Sequence, residues 1–157
     1  MFLRIFANME IQVEIQQSKF KTEYQKLGIN LLFTASWLER SVATQLKEFG
    51  LTGPQFNVLR ILRGQQPNPS TINLLTERMI DKSSNASRLV DKLIVKEYVS
   101  RRECPLDRRQ VDVSITAKGL ELLRKIDELE DSWNENMKSL SPGEAKKLNG
   151  LLDKLRG

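Results

Sequence analysis

The sequence predicts a mainly α-helical protein with one small β-hairpin, and three observations carry this prediction. Apolar residues recur every three or four positions through both ends of the chain, as they do along one face of a helix. Two segments near residues 98–102 and 111–115 instead alternate apolar and polar residues, the period of a strand with one buried face. The arginine-rich connection between them contains Pro105 and Asp107, which favour a turn.

The first long helix should begin near Phe20 and end at Gly50, a residue that commonly terminates helices. Ile29 and Trp37 widen its apolar surface beyond a single stripe. A helix that is apolar on more than one side is buried on more than one side, and a partner chain is the simplest cover for it. Residues 1–18 are ambiguous, because they are either a helical extension or, in part, a result of translation starting at Met1 instead of Met9.

Three shorter helices should follow. Thr52-Gly53-Pro54-Gln55 is a capping box with proline in the first turn of the helix. Ser70 or Thr71 caps the second helix, and the third spans Ser83 to Lys96 after a turn at 80–82. Two short helices joined by a few residues fit a helix-turn-helix unit.

The chain beyond this unit should form the hairpin and two more helices. The strands are Tyr98 to Arg102 and Val111 to Ile115. Thr116 begins a helix that runs to about Leu140 and carries Trp133 on its apolar stripe. Ser141-Pro142-Gly143-Glu144 is a second capping box and starts the last helix. The predicted fold class is therefore a winged helix-turn-helix with long flanking dimerisation helices.

Composition excludes most enzyme classes. The 157 residues contain no histidine and one cysteine, Cys104, which excludes histidine-dependent triads and common zinc motifs. No phosphate-binding loop or dinucleotide fingerprint is present. No apolar run reaches the roughly 18 residues that a membrane span needs. We therefore expect a cytoplasmic non-enzyme with no metal, no cofactor and no membrane partner.

The positive charge is concentrated in the middle of the chain. The whole sequence has a formal net charge of +5, which alone is only a weak indication of an anionic partner. Residues 78–110 carry nine basic and five acidic side chains, so most of the surplus lies in the helix-turn-helix and hairpin. This localisation favours double-stranded DNA as the partner.

The start of the third short helix has the composition of a recognition helix. It collects short or forked hydrogen-bonding side chains: Ser83, Ser84, Asn85, Ser87 and Arg88. Helices that dock in the major groove present this end to the bases, where asparagine pairs with adenine and arginine with guanine. The alternative is a serine-rich helix start that only caps itself.

The hairpin tip carries Arg108 and Arg109, which have no role in a core. Narrow minor grooves concentrate negative potential and attract inserted arginine. The alternative for this pair is a solvated surface. Further cations, which either contact phosphates or are solvated, are Lys82, Lys92, Lys96, Arg101 and Arg102.

The middle of the chain resembles the MarR family (multiple antibiotic resistance regulators). The motifs that carry the resemblance are Leu51-Thr52-x-Pro54-Gln55-Phe56-x-Val58-Leu59, Leu75-Thr76-Glu77-Arg78-Met79, Ser87-Arg88-Leu89-Val90-Asp91-Lys92-Leu93, Val99-x-Arg101-Arg102, Asp107-Arg108-Arg109 and Ile115-Thr116-x-Lys118-Gly119. The resemblance implies a homodimeric winged-helix transcriptional regulator whose terminal helices dimerise and whose wings reach the minor groove. It also implies that Arg109 is inserted and that Asp107 holds it by an ion pair.

Two segments depart from the family pattern. Lys96-Glu97-Tyr98 replaces the usual lysine–glycine–hydrophobic turn, and the loss of glycine affects the helix exit because glycine accepts positive φ without penalty. Ser84-Asn85-Ala86 is smaller and more polar than the common version, which leaves the operator sequence open.

The resemblance also suggests an effector site. The family often binds phenolic or other small amphipathic ligands beside its first long helix, where this chain has Tyr24, Phe33, Trp37 and Phe56. The alternative is plain core packing. Cys104 suggests a redox switch, although a lone cysteine in a wing more often packs, and Trp133 is expected at the dimer interface.

We therefore expect three regions: residues 1–50 as an N-terminal dimerisation helix, 51–116 as the DNA-binding lobe and 117–157 as C-terminal dimerisation helices. The expected function is a sequence-specific dimeric regulator, a repressor, that binds a pseudo-palindromic operator and is released by a small amphipathic effector. The alternatives are a non-specific architectural DNA-binding protein and a helical module that binds only protein.

Overall fold

The computed structural model describes residues 10–103, 111–129 and 135–157. The chain divides into two compact units, Met1–Thr44 and Gln45–Gly157. The first unit contains α1 (Ile11–Glu14) and most of α2 (Glu23–Leu46). A single 3₁₀ turn, Lys47–Phe49, continues α2 in the second unit.

The second unit is a helical lobe with a two-stranded antiparallel hairpin, which confirms the predicted fold class. Its elements are α3 (Gly53–Gln65), α4 (Ile72–Arg78), α5 (Ala86–Val95), β1 (Val99–Glu103), β2 (Val111–Ile115), α6 (Ala117–Asp127), a 3₁₀ turn (Glu135–Met137) and α7 (Pro142–Arg156). Within the described residues no helix is long and apolar enough to cross a bilayer.

The hairpin is extended by one bridge from the loop before α4. β1 and β2 pair with Val99 opposite Ile115 and Arg101 opposite Val113. On the other side of β2, Ser70 and Val113 exchange two backbone N–H···O bonds of 2.8 Å each. Ser70 is therefore buried as a short third edge of the wing, and Thr71 is the residue that caps α4.

Local hydrogen bonds explain where the helices begin. Thr52 and Gln55 form the predicted capping box at α3, and Ser141 and Glu144 form the second one at α7. Thr116 caps α6, since its hydroxyl accepts a 3.1 Å bond from the amide of Gly119. In each case the side chain satisfies an amide that the helix itself leaves free.

One apolar core lies among α3, α4, α5, α6 and the hairpin. Its fully buried side chains come from every one of these elements: Val58, Leu59, Leu62, Leu75, Val90, Leu93, Val113 and Leu123. Burial of these apolar side chains is the main source of stability for the lobe. It packs α5, β1 and β2 into one lobe.

Two predicted helices are longer than the observed ones. The third short helix begins at Ala86 instead of Ser83, because Asn85 is its cap. The helix predicted from Thr116 to about Leu140 ends at Asp127, where the apolar stripe leaves the core. Ile126 is 2% exposed but Leu129 is 40% exposed, and helices gain most of their stability from burying an apolar face.

The exit of α5 keeps a left-handed residue although the glycine is absent. Glu97 has φ +62, and the amides of Glu97 and Tyr98 donate to the carbonyls of Ile94 and Leu93 at 2.8 and 3.0 Å. These two bonds form a Schellman motif, which glycine usually terminates. The helix therefore ends in the usual backbone motif, with a strained glutamate in the position that glycine usually takes.

Candidate nucleic-acid interface

The recognition helix α5 has one buried face and one charged face. Ala86, Val90 and Leu93 point into the core, with at most 3% of each residue exposed. Arg88 and Lys92 lie one helical turn apart on the exposed face, and Ser87 is half-buried beside them. The core therefore determines which side of α5 can approach a duplex.

Ser83, Ser84 and Asn85 lie in the turn before α5 and not in its first turn. The Asp81 carboxylate accepts from the Ser83 amide at 2.9 Å, from the Ser83 hydroxyl at 2.7 Å and from the Ser84 hydroxyl at 2.9 Å. These bonds hold the pKa of Asp81 below its ordinary value, with the Ser83 hydroxyl bond the largest cause. Asn85 caps α5 by accepting from the Arg88 amide at 3.0 Å.

Two contacts tie this turn to the helices before it. The Ile80 amide donates to Asn57 Oδ1 of α3 at 2.9 Å, and Lys82 Nζ donates to the carbonyl of Glu77 in α4. The first half of the turn is thus tied to α3 and α4, and Asn85 joins its other end to α5.

The wing is joined to the recognition helix by an ion pair. Arg101 of β1 donates to Asp91 of α5 at 3.1 Å, although both side chains remain partly exposed. Exposed pairs of this kind contribute at most about 1 kcal/mol, so the pair orients more than it stabilises. Arg102, the next residue on β1, is exposed.

The basic residues predicted to contact phosphates differ in their surroundings within the protein. Lys82 and Arg101 have the partners described above, and Lys96 donates to the carbonyl of Gly50. Arg88, Lys92 and Arg102 are exposed and reach solvent. The structure brings α5 and β1 together on one lobe, and a contact of each residue with DNA stays a prediction.

Several predicted residues lie outside the described part of the chain. These are Cys104, the wing-tip residues Asp107, Arg108 and Arg109, and Trp133. Their proposed roles stay predictions.

The aromatic residues predicted for an effector site have different exposures. Tyr24 is 85% exposed, whereas Phe33, Trp37 and Phe56 are half-buried. The Arg60 guanidinium lies 5.7 Å from the centre of the Phe56 ring, a cation–π contact within α3. Within residues 10–103, 111–129 and 135–157, no histidine, cysteine or carboxylate cluster could hold a metal ion.

Sequence reasoning missed the part played by Asp81. The signal was present in Asp81-x-Ser83-Ser84, because aspartate often accepts hydrogen bonds from residues two and three positions later. It missed Asp91 for a different reason, since its partner Arg101 is ten positions away in β1.

Comparison with known proteins agrees with this architecture. The model of the MarR family matches residues 49–110. Among solved structures, a cysteine-to-serine mutant of MarR from E. coli, complexed with operator DNA, superposes with a TM-score of 0.76 at 27% identity. The superposition covers 88% of this chain and 99% of that one.

The chain is similar in sequence to two transcriptional regulators. The chain is 30% identical over 109 residues to the HTH-type transcriptional regulator MgrA of Staphylococcus aureus, covering 69% of this chain and 72% of MgrA. It is 34% identical over 83 residues to the HTH-type transcriptional regulator MhqR of Bacillus subtilis, covering 52% of this chain and about half of MhqR (54%). This chain, with its winged helix-turn-helix and the MarR motifs in register, belongs to the MarR family.

Proposed function

We propose that the protein is a sequence-specific DNA-binding transcriptional regulator that reads its operator through α5. The observation that carries the proposal is the exposed face of α5, where Arg88 and Lys92 project from a helix fixed by the core. MarR of E. coli, which shares the architecture, was crystallised on operator DNA. Base-edge contacts at the start of α5 and phosphate contacts around it account for specificity and affinity, respectively.

The residues assigned to the interface are the predicted ones. Those on the turn, α5 and β1 are Ser83, Ser84, Asn85, Ser87, Arg88, Lys92, Arg101 and Arg102. At the wing tip, Arg109 is assigned to the minor groove and Asp107 orients it. Arg108 is assigned to the same DNA contact. Because Arg101 is held by Asp91, it reaches a phosphate only by sharing or leaving that pair.

A binding assay tests the proposal. Duplexes selected from a random pool should be retained in the presence of excess random duplex at fixed salt, which a non-specific architectural protein would not achieve. Arg88→Ala and Arg109→Ala should each weaken operator binding by about 1–3 kcal/mol. Lys146→Ala, an exposed lysine of α7, is the control and should change little. Equal retention of selected and random duplex would contradict the proposal.

We also propose that the regulator is a homodimer formed through segments 1–50 and 117–157. The support is the exposed apolar surface of the terminal helices: Leu148, Leu151 and Leu155 of α7 are 44%, 55% and 58% exposed, and Leu32 of α2 is 75% exposed. A dimer places two α5 helices on a pseudo-palindrome with half-sites about 34 Å apart.

Sedimentation measurements test the dimer. The double variant Leu151→Asp/Leu155→Asp should sediment as a monomer, because it places charge on the apolar stripe of α7. Asn149→Asp adds one negative charge to the same helix at an exposed polar position and should leave a dimer. A wild-type protein that is monomeric at micromolar concentration would contradict this part of the proposal.

We further propose that the protein represses transcription and that a small amphipathic effector releases it. The support is the resemblance to the MarR family, which often binds phenolic or other small amphipathic ligands beside its first long helix, where this chain carries Tyr24, Phe33, Trp37 and Phe56. The effector acts only through a difference in affinity for the DNA-binding and released states. 4-Methylphenol should lower operator affinity in wild type and do so less in Trp37→Ala. A reporter that falls when the gene is deleted would show activation and contradict repression.

A further inference from the structure

The turn before α5 has a fixed hydrogen-bond direction. A carboxylate carries no proton, so both serine hydroxyls must donate to Asp81, Ser83 to one oxygen at 2.7 Å and Ser84 to the other at 2.9 Å. Each hydroxyl has a single proton. With those protons committed, Ser83 and Ser84 offer only oxygen lone pairs to anything that approaches from outside.

An acceptor surface discriminates among the groups of a duplex. Phosphate oxygens, guanine N7 and O6 and thymine O4 are acceptors, so they receive no hydrogen bond from these serines. Adenine N6 and cytosine N4 are donors in the major groove, and they can bond to a serine oxygen. The Asp81 charge adds to this preference, because it repels phosphate and attracts amino groups.

The neighbouring cap has the opposite character. Asn85 uses its side-chain oxygen to accept from the Arg88 amide, which leaves its NH₂ group as the outward donor. The start of the recognition element therefore carries acceptors at the turn and a donor at the cap, in a fixed order along the chain.

We propose that Asp81 is a specificity-determining residue that makes Ser83 and Ser84 hydrogen-bond acceptors, so that the turn selects a base whose amino group lies in the major groove, adenine or cytosine. This inference rests on the proposed DNA-binding function and deepens it. Asp81 acts through the serines and is therefore a positioning residue.

Asp81→Asn tests the proposal with almost no change of shape. The amide oxygen of the variant still accepts from Ser83, but its NH₂ group replaces the oxygen that bonded to Ser84. The Ser84 proton is then free to donate to guanine or thymine. In a selection from a random duplex pool, one position of each half-site should change from adenine or cytosine towards guanine or thymine, by about fivefold to tenfold, the lower range for a base-edge contact.

Glu77→Gln is the matched control. It removes the same charge four residues earlier, and the Glu77 group that Lys82 contacts is the backbone carbonyl, which the substitution retains. The selected motif should be unchanged, while affinity for every duplex rises equally. Ser84→Ala and Ser83→Ala identify the position, because each should remove the amino-group preference there without reversing it.

The outcomes separate the two proposals. If the wild type selects no motif, the proposed DNA-binding function fails, and this inference fails with it. If the wild type selects a motif that Asp81→Asn and both alanine variants preserve, only this inference fails. Should Asp81→Asn melt below the assay temperature, the alanine variants decide, since an unchanged motif in both overturns the proposal.

Discussion

Two helices of this protein end in the same backbone motif with different residues. After α2 and its 3₁₀ turn, Gly50 has φ +63, and the amides of Gly50 and Leu51 donate to the carbonyls of Lys47 and Leu46. After α5, Glu97 has φ +62 and forms the equivalent pair of bonds. Lys96 joins the two exits, since its ammonium donates to the carbonyl of Gly50.

The difference shows how a tertiary contact can replace glycine. A left-handed residue with a Cβ atom costs about 1–2 kcal/mol that glycine avoids. At Glu97 the side chain pairs with Lys118 at 2.6 Å, and its carbonyl accepts from the Thr116 hydroxyl at 2.7 Å. The start of α6 therefore holds the α5 exit in place, whereas Gly50 adopts the same conformation without the penalty of a Cβ atom.

The largest effect should come from the residue that lets α6 approach this exit. A Cβ atom on Gly119 would lie 2.4 Å from the carbonyl oxygen of Tyr98, which is backbone and cannot yield cheaply. Gly119→Ala should lower the free energy of unfolding by about 1–3 kcal/mol, as overpacking does. Chemical denaturation measures it, and Gly150→Ala in α7, where nothing lies within 4 Å, is the control. If Gly119→Ala and Gly150→Ala had equal free energies of unfolding, α6 would be able to move away from Tyr98 at no cost.

Gly50→Ala should have the next largest effect. Its Cβ atom meets only Lys96 Nζ at 4.0 Å, so the penalty comes from backbone strain and not from a clash. We expect the free energy of unfolding to fall by about 1–2 kcal/mol. Gly50→Asn, which tolerates this conformation better, should lose less. An unfolding midpoint that does not change in the alanine variant would contradict the assignment of strain.

Glu97→Gly should change stability in the opposite direction. It removes a strain of about 1–2 kcal/mol and loses an ion pair whose side chains are 54% and 77% exposed, so that solvent screens the pair. A small net gain in stability is expected, because the relief of strain exceeds the loss of this screened pair and the added freedom of glycine in the unfolded chain. Glu97→Gln keeps the strain but loses the charge, so it should be less stable than wild type. A less stable glycine variant would mean that the Lys118 contact dominates.

The smallest effect should be a pH dependence at the α5 exit. The hydrogen bond and charge of Lys118 hold the pKa of Glu97 below its ordinary 4.5. A carboxyl with a lowered folded-state pKa contributes stability that is fully present above pH 4.5 and is lost as pH falls through the lowered value. The difference in melting temperature between wild type and Glu97→Gln should therefore shrink below about pH 4.5. A difference that grows on acidification would refute the pairing.

Local signals in the sequence predicted much of the fold. The capping boxes at Thr52 and Ser141, the stop at Gly50 and both strands depend on neighbouring residues, and each is confirmed. Helix lengths were predicted less accurately, because the end of α6 depends on where the core stops covering its apolar stripe. The residues of the DNA interface were predicted from composition and family motifs, and their contacts with DNA stay predictions.

The difference between structure determined by neighbouring residues and structure determined by tertiary contacts is clearest at α5. Its apolar period and its polar start follow from the order of its residues, since side chains three and four positions apart share a face. Other features depend on contacts between distant positions. Asp91 pairs with Arg101 ten residues away, and Lys96 contacts Gly50 46 residues away. The left-handed conformation at Glu97 is held by Lys118, 21 residues away. Only packing of the whole lobe brings those groups within bonding distance, because a hydrogen bond requires proximity that sequence separation does not specify.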